Sequence, residues 1–202
     1  MKIYETRSAP NPRRVRMFLA EKGIAMDYVQ LDLQKGENLT AQMRAKNPLG
    51  KVPVLELDDG TCIAETDAIC TYFENIQPAP PLMGVDAKDK AIVAMWQRQV
   101  ELALMLQVGM CFQHTTGYFK DRMVPVPEYG REAGINAGKY LNILERRLEL
   151  NPYIAGDAFT IADITALCAI DFARVVKIRF TDEQVNLKDW YQRVNARASA
   201  QA

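Results

Sequence analysis

The sequence predicts an α/β unit in the order βαβαββα, followed by an all-helical domain. Three observations support this. In residues 1–77, short β-favouring runs alternate with helical patterns. Residues 78–85 open with three prolines in four positions, which fix the backbone and remove donors, so we expect a linker there. Residues 86–202 then show only long helical patterns.

Local signals place the elements of the first unit. Asn and Pro suit the N-cap and the first position of a helix, Gly suits its end, and the Asp58-Asp59-Gly60 run suits a hairpin turn. The predicted elements are a strand at residues 2–5, a helix from Asn11-Pro12 to Gly23, a strand at 27–33, a helix at 39–45, a hairpin at 54–64, and a helix capped by Thr66 or Asp67.

Four helical patterns fill the second unit, at residues 86–116, 128–149, 160–177 and 182–198. Thr160 and Asp163 have the spacing of a capping box. The helix that they start is apolar nearly all round, which is typical of a buried helix. We therefore expect Asp163 to be structural rather than catalytic.

Composition argues against several classes of partner. The 25 basic and 25 acidic side chains give a net charge of zero and an isoelectric point near 6.6, so no field attracts nucleic acid or an anionic membrane. The N-terminal residues lack the long apolar run of a signal peptide or a membrane-spanning helix. We expect a cytoplasmic protein that binds neither nucleic acid nor membrane.

Cysteine and histidine usage argues against a metal centre. The four cysteines form no Cys-x-x-Cys motif and lie in apolar surroundings, which favours reduced packing residues over disulfides or zinc ligands. His114 is the single histidine, so a multi-histidine site is impossible. No metal cofactor is expected.

A first candidate binding element is the Lys51-Val52-Pro53 segment before the third strand. A cis peptide before Pro53 would leave the N–H and C=O of Val52 free, and such groups pair with the main chain of an extended peptide. An ordinary proline between a loop and a strand is an equally good interpretation of this segment alone.

Glu65 and Thr66 form a second candidate element at the start of the next helix. Open backbone N–H groups and a hydroxyl suit a carboxylate, while Glu65 suits an ammonium group, and an amino-acid head group needs both. Lys51 would meet a second carboxylate at the other end of such a ligand. The competing interpretation is simple helix capping.

Three arginines crowd the first turn of the first helix, at Arg13, Arg14 and Arg16. Cations are unfavourable at this positive end of the helix dipole. Either a bound anion or acidic side chains compensate, and we favour internal salt bridges.

Together these features resemble the cytosolic glutathione transferase family over nearly the whole chain. The resemblance rests on Val52-Pro53 with Glu65-Thr66, on residues 8–16 at the start of the first helix, and on residues 153–163. It implies a thioredoxin-like first domain, a cis Val52-Pro53 bond, and glutathione held by Val52, Glu65 and Thr66 with its glycine tail at Lys51. It also implies a twofold homodimer.

The resemblance leaves the group that activates the thiol open. Tyr4 lies too early to match the tyrosine of some members, and Ala9 occupies the position of the serine in others. Ser8, Asn11 and the neighbouring backbone amides are the candidates, because helix N-termini favour anions. No cysteine precedes Cys62, which argues against a cysteine-type member.

His114 is the remaining catalytic candidate, through a water that it would orient toward the thiolate. A capping or wall histidine is the competing interpretation. Met110, Tyr118 and Phe119 are candidates to line an electrophile site. The predicted function is conjugation of glutathione to a small hydrophobic electrophile, with a non-catalytic glutathione-binding protein, a peroxidase or an isomerase as alternatives.

Overall fold

The computed structural model describes all 202 residues, which divide into two compact units. One unit holds residues 1–82 together with 198–202, and the other holds residues 83–197. The sequence predicts a helical domain that extends to residue 202. In the structure, the last five residues instead belong to the first unit. There Arg13 Nη2 donates to the carbonyl oxygen of Ala200 at 2.9 Å, and Ser199 Oγ donates to Glu21.

The first unit has the predicted order βαβαββα, with a 3₁₀ turn at Glu37–Leu39 before its second helix. Its elements are β1 (Lys2–Glu5), α1 (Pro10–Glu21), β2 (Asp27–Gln30), α2 (Ala41–Lys46), β3 (Val54–Glu56), β4 (Cys62–Ala64) and α3 (Thr66–Ile76).

The four strands form one mixed sheet in the order β2-β1-β3-β4. β1 runs parallel to β2 and antiparallel to β3, and β3 runs antiparallel to β4. Tyr4 pairs with Val54, and Val54 pairs with Ala64. The end of β1, the start of β3 and the end of β4 therefore meet at one edge of the sheet.

Side chains alternate between the two faces of this sheet. Tyr4 and Val54 face one way and pack with Met43 of α2. The opposite face carries Glu5, which forms an ion pair with Arg16 of α1. The sheet is thus covered on both sides, as the apolar content of its strands requires.

Two helix starts differ from the prediction. α1 begins at Pro10 with Ala9 as its N-cap, not at Asn11-Pro12. Proline is preorganised for the first helical position, and Pro12 still falls among the first residues, whose N–H groups have no intrahelical partner. In α3 the N-cap is Glu65, and Thr66 is the first helical residue, so neither Thr66 nor Asp67 is the cap.

The second unit is helical, and its first two helices are joined by a π turn at Glu101–Met105. Its helices are α4 (Ala87–Val100), α5 (Leu106–Thr115), α6 (Pro127–Leu150), α7 (Ile161–Ala173) and α8 (Val185–Asn195). All residues from 161 to 170 are buried, so α7 is the central helix of this unit. None of the helices combines the length and apolar character that a membrane crossing needs.

Candidate functional site

The predicted binding elements of the first unit leave the sheet at the same edge. Ser8 follows β1, Lys51 to Pro53 precede β3, and Glu65 follows β4. Because Tyr4, Val54 and Ala64 are paired across the sheet, these segments are neighbours although they are far apart in sequence.

Val52 presents unpaired main-chain groups at this edge. The Val52-Pro53 peptide bond is cis, as expected. Val52 is half-buried, and neither its N–H nor its C=O is hydrogen-bonded to another part of the protein. These two groups are therefore open to the main chain of an extended ligand.

The loop that carries Lys51 and Val52 is held by buried Asn47. Asn47 Oδ1 accepts from Leu49 N–H at 3.1 Å, and Nδ2 donates to the Lys51 carbonyl at 2.9 Å. Gly50 adopts φ 61°, and a Cβ there would lie 2.9 Å from a Leu39 methyl group. Sequence reasoning missed Asn47 as a positioning residue, although its place in an Asn-Pro-x-Gly run was the available signal.

The start of α3 is held in an unusual backbone conformation. Glu65 has φ 69° and ψ 128°, outside the regions that L residues favour, at a typical cost of about 1–3 kcal/mol. Its exposed side chain does not cap the helix. The first backbone bond of the helix joins Ile69 N–H to the Glu65 carbonyl at 3.0 Å, so the N–H of Thr66 lies before it. A carboxylate, a hydroxyl and an open amide thus meet here.

Ser8 and Asn11 lie on either side of the α1 start. Ser8 is exposed in a turn that is closed by Ala9 N–H donating to the Thr6 carbonyl at 3.0 Å. Asn11 Oδ1 accepts from Arg14 Nη1 at 3.0 Å, which leaves Nδ2 as its available donor. Because Ala9 has no capping side chain, the helix start is open to an anion.

The arginines of α1 bind to groups of the protein. Arg16 Nη1 lies 2.6 Å from Glu5 Oε2, and both side chains are buried, so the expected internal salt bridge is confirmed at Arg16. Arg13 and Arg14 donate to the Ala200 carbonyl and the Asn11 side chain.

The Tyr4 hydroxyl is hydrogen-bonded to another side chain of the protein. Its hydroxyl donates to Glu56 Oε2 at 2.7 Å, and Lys46 Nζ lies 2.7 Å from the same oxygen. Lys46, together with the Tyr4 hydroxyl, holds the pKa of Glu56 below its usual range. Tyr4 is therefore a packing residue on the sheet face that α2 covers.

His114 lies in the last turn of α5, in the helical unit. Its Nδ1 accepts from the N–H of Val126 at 2.9 Å, and its ring packs edge-on against Tyr129 at 5.1 Å. A neutral ring that accepts through Nδ1 carries its proton on Nε2. One ring nitrogen therefore anchors the segment before α6, while the water-orienting role stays a prediction that would use Nε2–H.

Aromatic rings cluster beside the end of α5. Phe112 lies 5.2 Å from Tyr118 and 5.1 Å from Phe172, between ring centroids, and Tyr118 lies 4.7 Å from Phe119. Met110 is half-buried on the same helix. The helical unit thus holds an aromatic surface that includes two of the three residues predicted to line an electrophile site.

The cysteines are free thiols, and all but the half-buried Cys62 are buried. No group of three or more His, Cys, Asp and Glu side chains is arranged to hold a metal ion.

Comparison with known proteins adds independent information. Residues 3–81 match the glutathione S-transferase N-terminal domain, and residues 117–198 match the glutathione S-transferase C-terminal domain. Glutathione S-transferase 2 of Saccharomyces cerevisiae is 37% identical over 203 residues, which cover 98% of this chain and 87% of the relative.

Solved structures agree with these matches. The crystal structure of Gtt2 from Saccharomyces cerevisiae has a TM-score of 0.96 at 36% identity and covers 100% of this chain and 99% of its own. A glutathione S-transferase domain-containing protein from Marinobacter aquaeolei VT8 has a TM-score of 0.95 at 41% identity, covering 98% and 99%. With the thioredoxin-like and helical units both matched, this chain belongs to the glutathione S-transferase family.

Proposed function

We propose that the protein binds glutathione at the sheet edge, stabilises its thiolate and transfers it to a small hydrophobic electrophile. The observation that carries this proposal is the unpaired main chain of Val52 beside the open start of α3. An exposed strand-like segment next to a helix start suits a peptide with a free amino-acid head group.

Each end of glutathione has a chemically suited partner in this arrangement. Glu65 binds the ammonium group of the γ-glutamyl head, and the hydroxyl and N–H of Thr66 bind its carboxylate. Val52 pairs with the main chain of the central cysteine. Lys51, which is exposed, faces the carboxylate of the glycine tail.

Thiol activation requires hydrogen-bond donors near the bound sulfur. A free thiol has a pKa near 8.5, and lowering it by two units takes about 2.7 kcal/mol. One or two donors to a thiolate supply this, since a hydrogen bond to a charged group is worth about 1.5–3 kcal/mol. We assign this role to Ser8 Oγ, to Asn11 Nδ2 and to the N–H of Asn11. The Asn11 N–H is the open amide of the first turn, because the prolines on both sides of Asn11 carry no N–H and the Arg13 N–H donates to the Ala9 carbonyl.

Glutathione binding is tested by calorimetry on the wild-type protein and on Glu65→Ala. We expect the substitution to weaken binding by about tenfold to a hundredfold, because a charge-assisted bond worth about 1.5–3 kcal/mol is lost. Glu132→Ala, an exposed substitution on α6, is the matched control. Absence of wild-type binding at millimolar glutathione overturns the proposal, and unchanged affinity in Glu65→Ala removes Glu65 from the site.

A glutathione-binding protein without thiol activation is a second candidate, supported by Ala9 at the helix cap, where a hydroxyl is expected in serine-type members. Ultraviolet absorbance of the thiolate separates the two, since only a transferase lowers the thiol pKa of bound glutathione. Electrophiles, hydroperoxides and cis-alkenes assayed side by side then define the reaction.

We also propose a homodimer. Met95, Leu102 and Leu106 are exposed apolar residues on α4, the π turn and α5, and exposed apolar side chains along consecutive helical segments suit a contact with a second copy of the chain. Light scattering after size exclusion should give twice the chain mass. A monomer at micromolar concentration would contradict this.

A further inference from the structure

A polar network of the buried residues Glu5 and Arg16 and the exposed residue Gln30 lies directly behind the β1–α1 loop. Arg16 Nη1 pairs with Glu5 Oε2 at 2.6 Å, and Gln30 Nε2 donates to Glu5 Oε1 at 2.7 Å. Glu5 and Gln30 are partners in the parallel β1–β2 ladder, which brings their side chains to the same face. The network thus joins β1, β2 and α1 at the end of the sheet.

The same side chains hold both main-chain groups of Arg7. The N–H of Arg7 donates to Gln30 Oε1 at 2.9 Å, and its carbonyl accepts from Arg16 Nη2 at 2.8 Å. Arg7 immediately precedes Ser8, the first candidate for thiol activation. The backbone on which Ser8 turns is therefore fixed from two sides by side chains of the network.

A contribution to the stability of the fold does not by itself explain why these polar side chains lie here. Glu5 is 1% exposed and Arg16 is 5% exposed, and buried ion pairs are often no more stabilising than apolar residues of similar volume. Arg16 Nε is also buried without a hydrogen-bond partner. We therefore expect that this polar network serves to fix a local backbone geometry, which apolar side chains of the same volume would not define.

Glu5 is the only charged side chain that β1 and β2 place on this face of the sheet, where it pairs with Arg16 of α1. Tyr28 is the other titratable group beside it, and burial, together with the Glu5 charge, raises the pKa of its phenol. Tyr28 therefore stays neutral at physiological pH.

We propose that Glu5, Arg16 and Gln30 are positioning residues that fix the β1–α1 loop, and through it the donors that stabilise the glutathione thiolate. The inference rests on the proposed function, because it assigns these residues a role in thiol activation. They do not touch the ligand themselves; they act through the backbone of Arg7. Their loss should change the thiol pKa much more than the affinity for glutathione.

The test compares Gln30→Ala, Arg16→Lys and wild type, with Gln192→Ala as the matched control on the exposed side of α8. Gln30 is exposed, so its removal is compatible with folding. Arg16→Lys keeps a cation for Glu5 but loses the fork that also reaches the Arg7 carbonyl. S-methylglutathione reports binding without an ionisable thiol, and thiolate absorbance against pH reports activation.

We expect both variants to bind S-methylglutathione within about threefold of wild type while the thiol pKa of bound glutathione rises by about one unit, a tenfold shift in the protonation equilibrium. With an aromatic electrophile at neutral pH, kcat should then fall several-fold at nearly constant KM. A stable Arg16→Lys and a folded Gln30→Ala with wild-type thiol pKa would overturn the inference. Failure of the wild type to bind glutathione or to lower the thiol pKa would instead overturn the proposed function.

Discussion

The first turns of α7 and α3 differ in whether the protein itself supplies acceptors for their free N–H groups. Every helix leaves its first N–H groups without intrahelical partners. At the start of α7, Asp163 Oδ2 accepts from Thr160 N–H at 3.0 Å, completing a capping box. At the start of α3, the exposed Glu65 side chain makes no capping bond, and its backbone has a positive φ.

The environment explains the difference. The carboxylate of Asp163 is fully buried, and it also accepts from Ile154 N–H at 3.0 Å and from the Trp190 indole at 2.8 Å. An unpaired donor there would be costly, because no water reaches it. The α3 start faces the sheet edge, where a ligand can supply the missing acceptor. Closed starts thus stabilise the fold, while an open start remains available for binding.

Removing the buried carboxylate should have the largest effect. Asp163→Ala leaves the N–H groups of Ile154 and Thr160 and the indole of Trp190 unpaired, at about 1–3 kcal/mol each. We expect the free energy of unfolding to fall by at least about 3 kcal/mol, or the protein to be insoluble. Urea denaturation measures this.

Asp157→Ala is the matched control, because Asp157 is exposed in the segment just before α7. It should stay within about 0.5 kcal/mol of wild type. Equal stability of the Asp163 and Asp157 variants would show that the capping box does not stabilise the helical unit.

At the start of α3, replacing Glu65 by glycine should stabilise the protein while it weakens glutathione binding. Glu65→Gly removes the ammonium partner but suits φ 69°, whereas Glu65→Ala removes the partner and keeps the unfavourable backbone. Both should weaken glutathione binding tenfold or more. Relief of about 1–3 kcal/mol of strain, less about 0.4–1 kcal/mol for the flexibility of glycine when unfolded, should make the Gly variant about 1 kcal/mol more stable than the Ala variant.

Denaturation and calorimetry on the same two variants decide the matter. A Gly variant no more stable than the Ala variant would mean that the backbone at residue 65 is unstrained. A Gly variant that binds glutathione as tightly as wild type would mean that the open helix start, rather than the Glu65 carboxylate, holds the ligand.

The sequence was a good guide wherever a local pattern determined the structure. The βαβαββα order and the Thr160/Asp163 capping box follow from spacing alone, and the structure has both. The caps of α1 and α3 were predicted wrongly, because Ala9 and Glu65 are poor caps by local preference.

Long-range contacts account for what the sequence did not show. Arg7 is held by Gln30, 23 positions away, and by Arg16, nine positions away, and no short motif connects them. The positive φ of Glu65 is likewise set by the junction of β4 with α3 and not by the residue type. Local signals located the candidate binding elements, whereas tertiary contacts set their geometry.

Tyr140 of α6 is a buried polar residue of the helical unit whose hydroxyl has no hydrogen-bond partner. Its replacement should change stability less than the substitutions above. Burial raises the pKa of the phenol to about 12. Tyr140→Phe removes this unsatisfied group with little change in shape. We expect the free energy of unfolding at neutral pH to rise by about 1 kcal/mol, as measured by urea denaturation.

The pH dependence of stability gives Tyr140 a second, independent signature. An unfolded tyrosine ionises near pH 10, so above that pH the unfolded chain releases a proton that the folded chain retains until about pH 12. This stability contribution is complete below pH 10 and is lost as the pH rises, so wild type should lose stability in this range more steeply than Tyr140→Phe. Parallel curves for the two proteins, with no late-titrating phenol in the absorbance of wild type, would show that water reaches the Tyr140 hydroxyl, because a hydrogen bond from the neutral phenol to a protein acceptor would raise its pKa further.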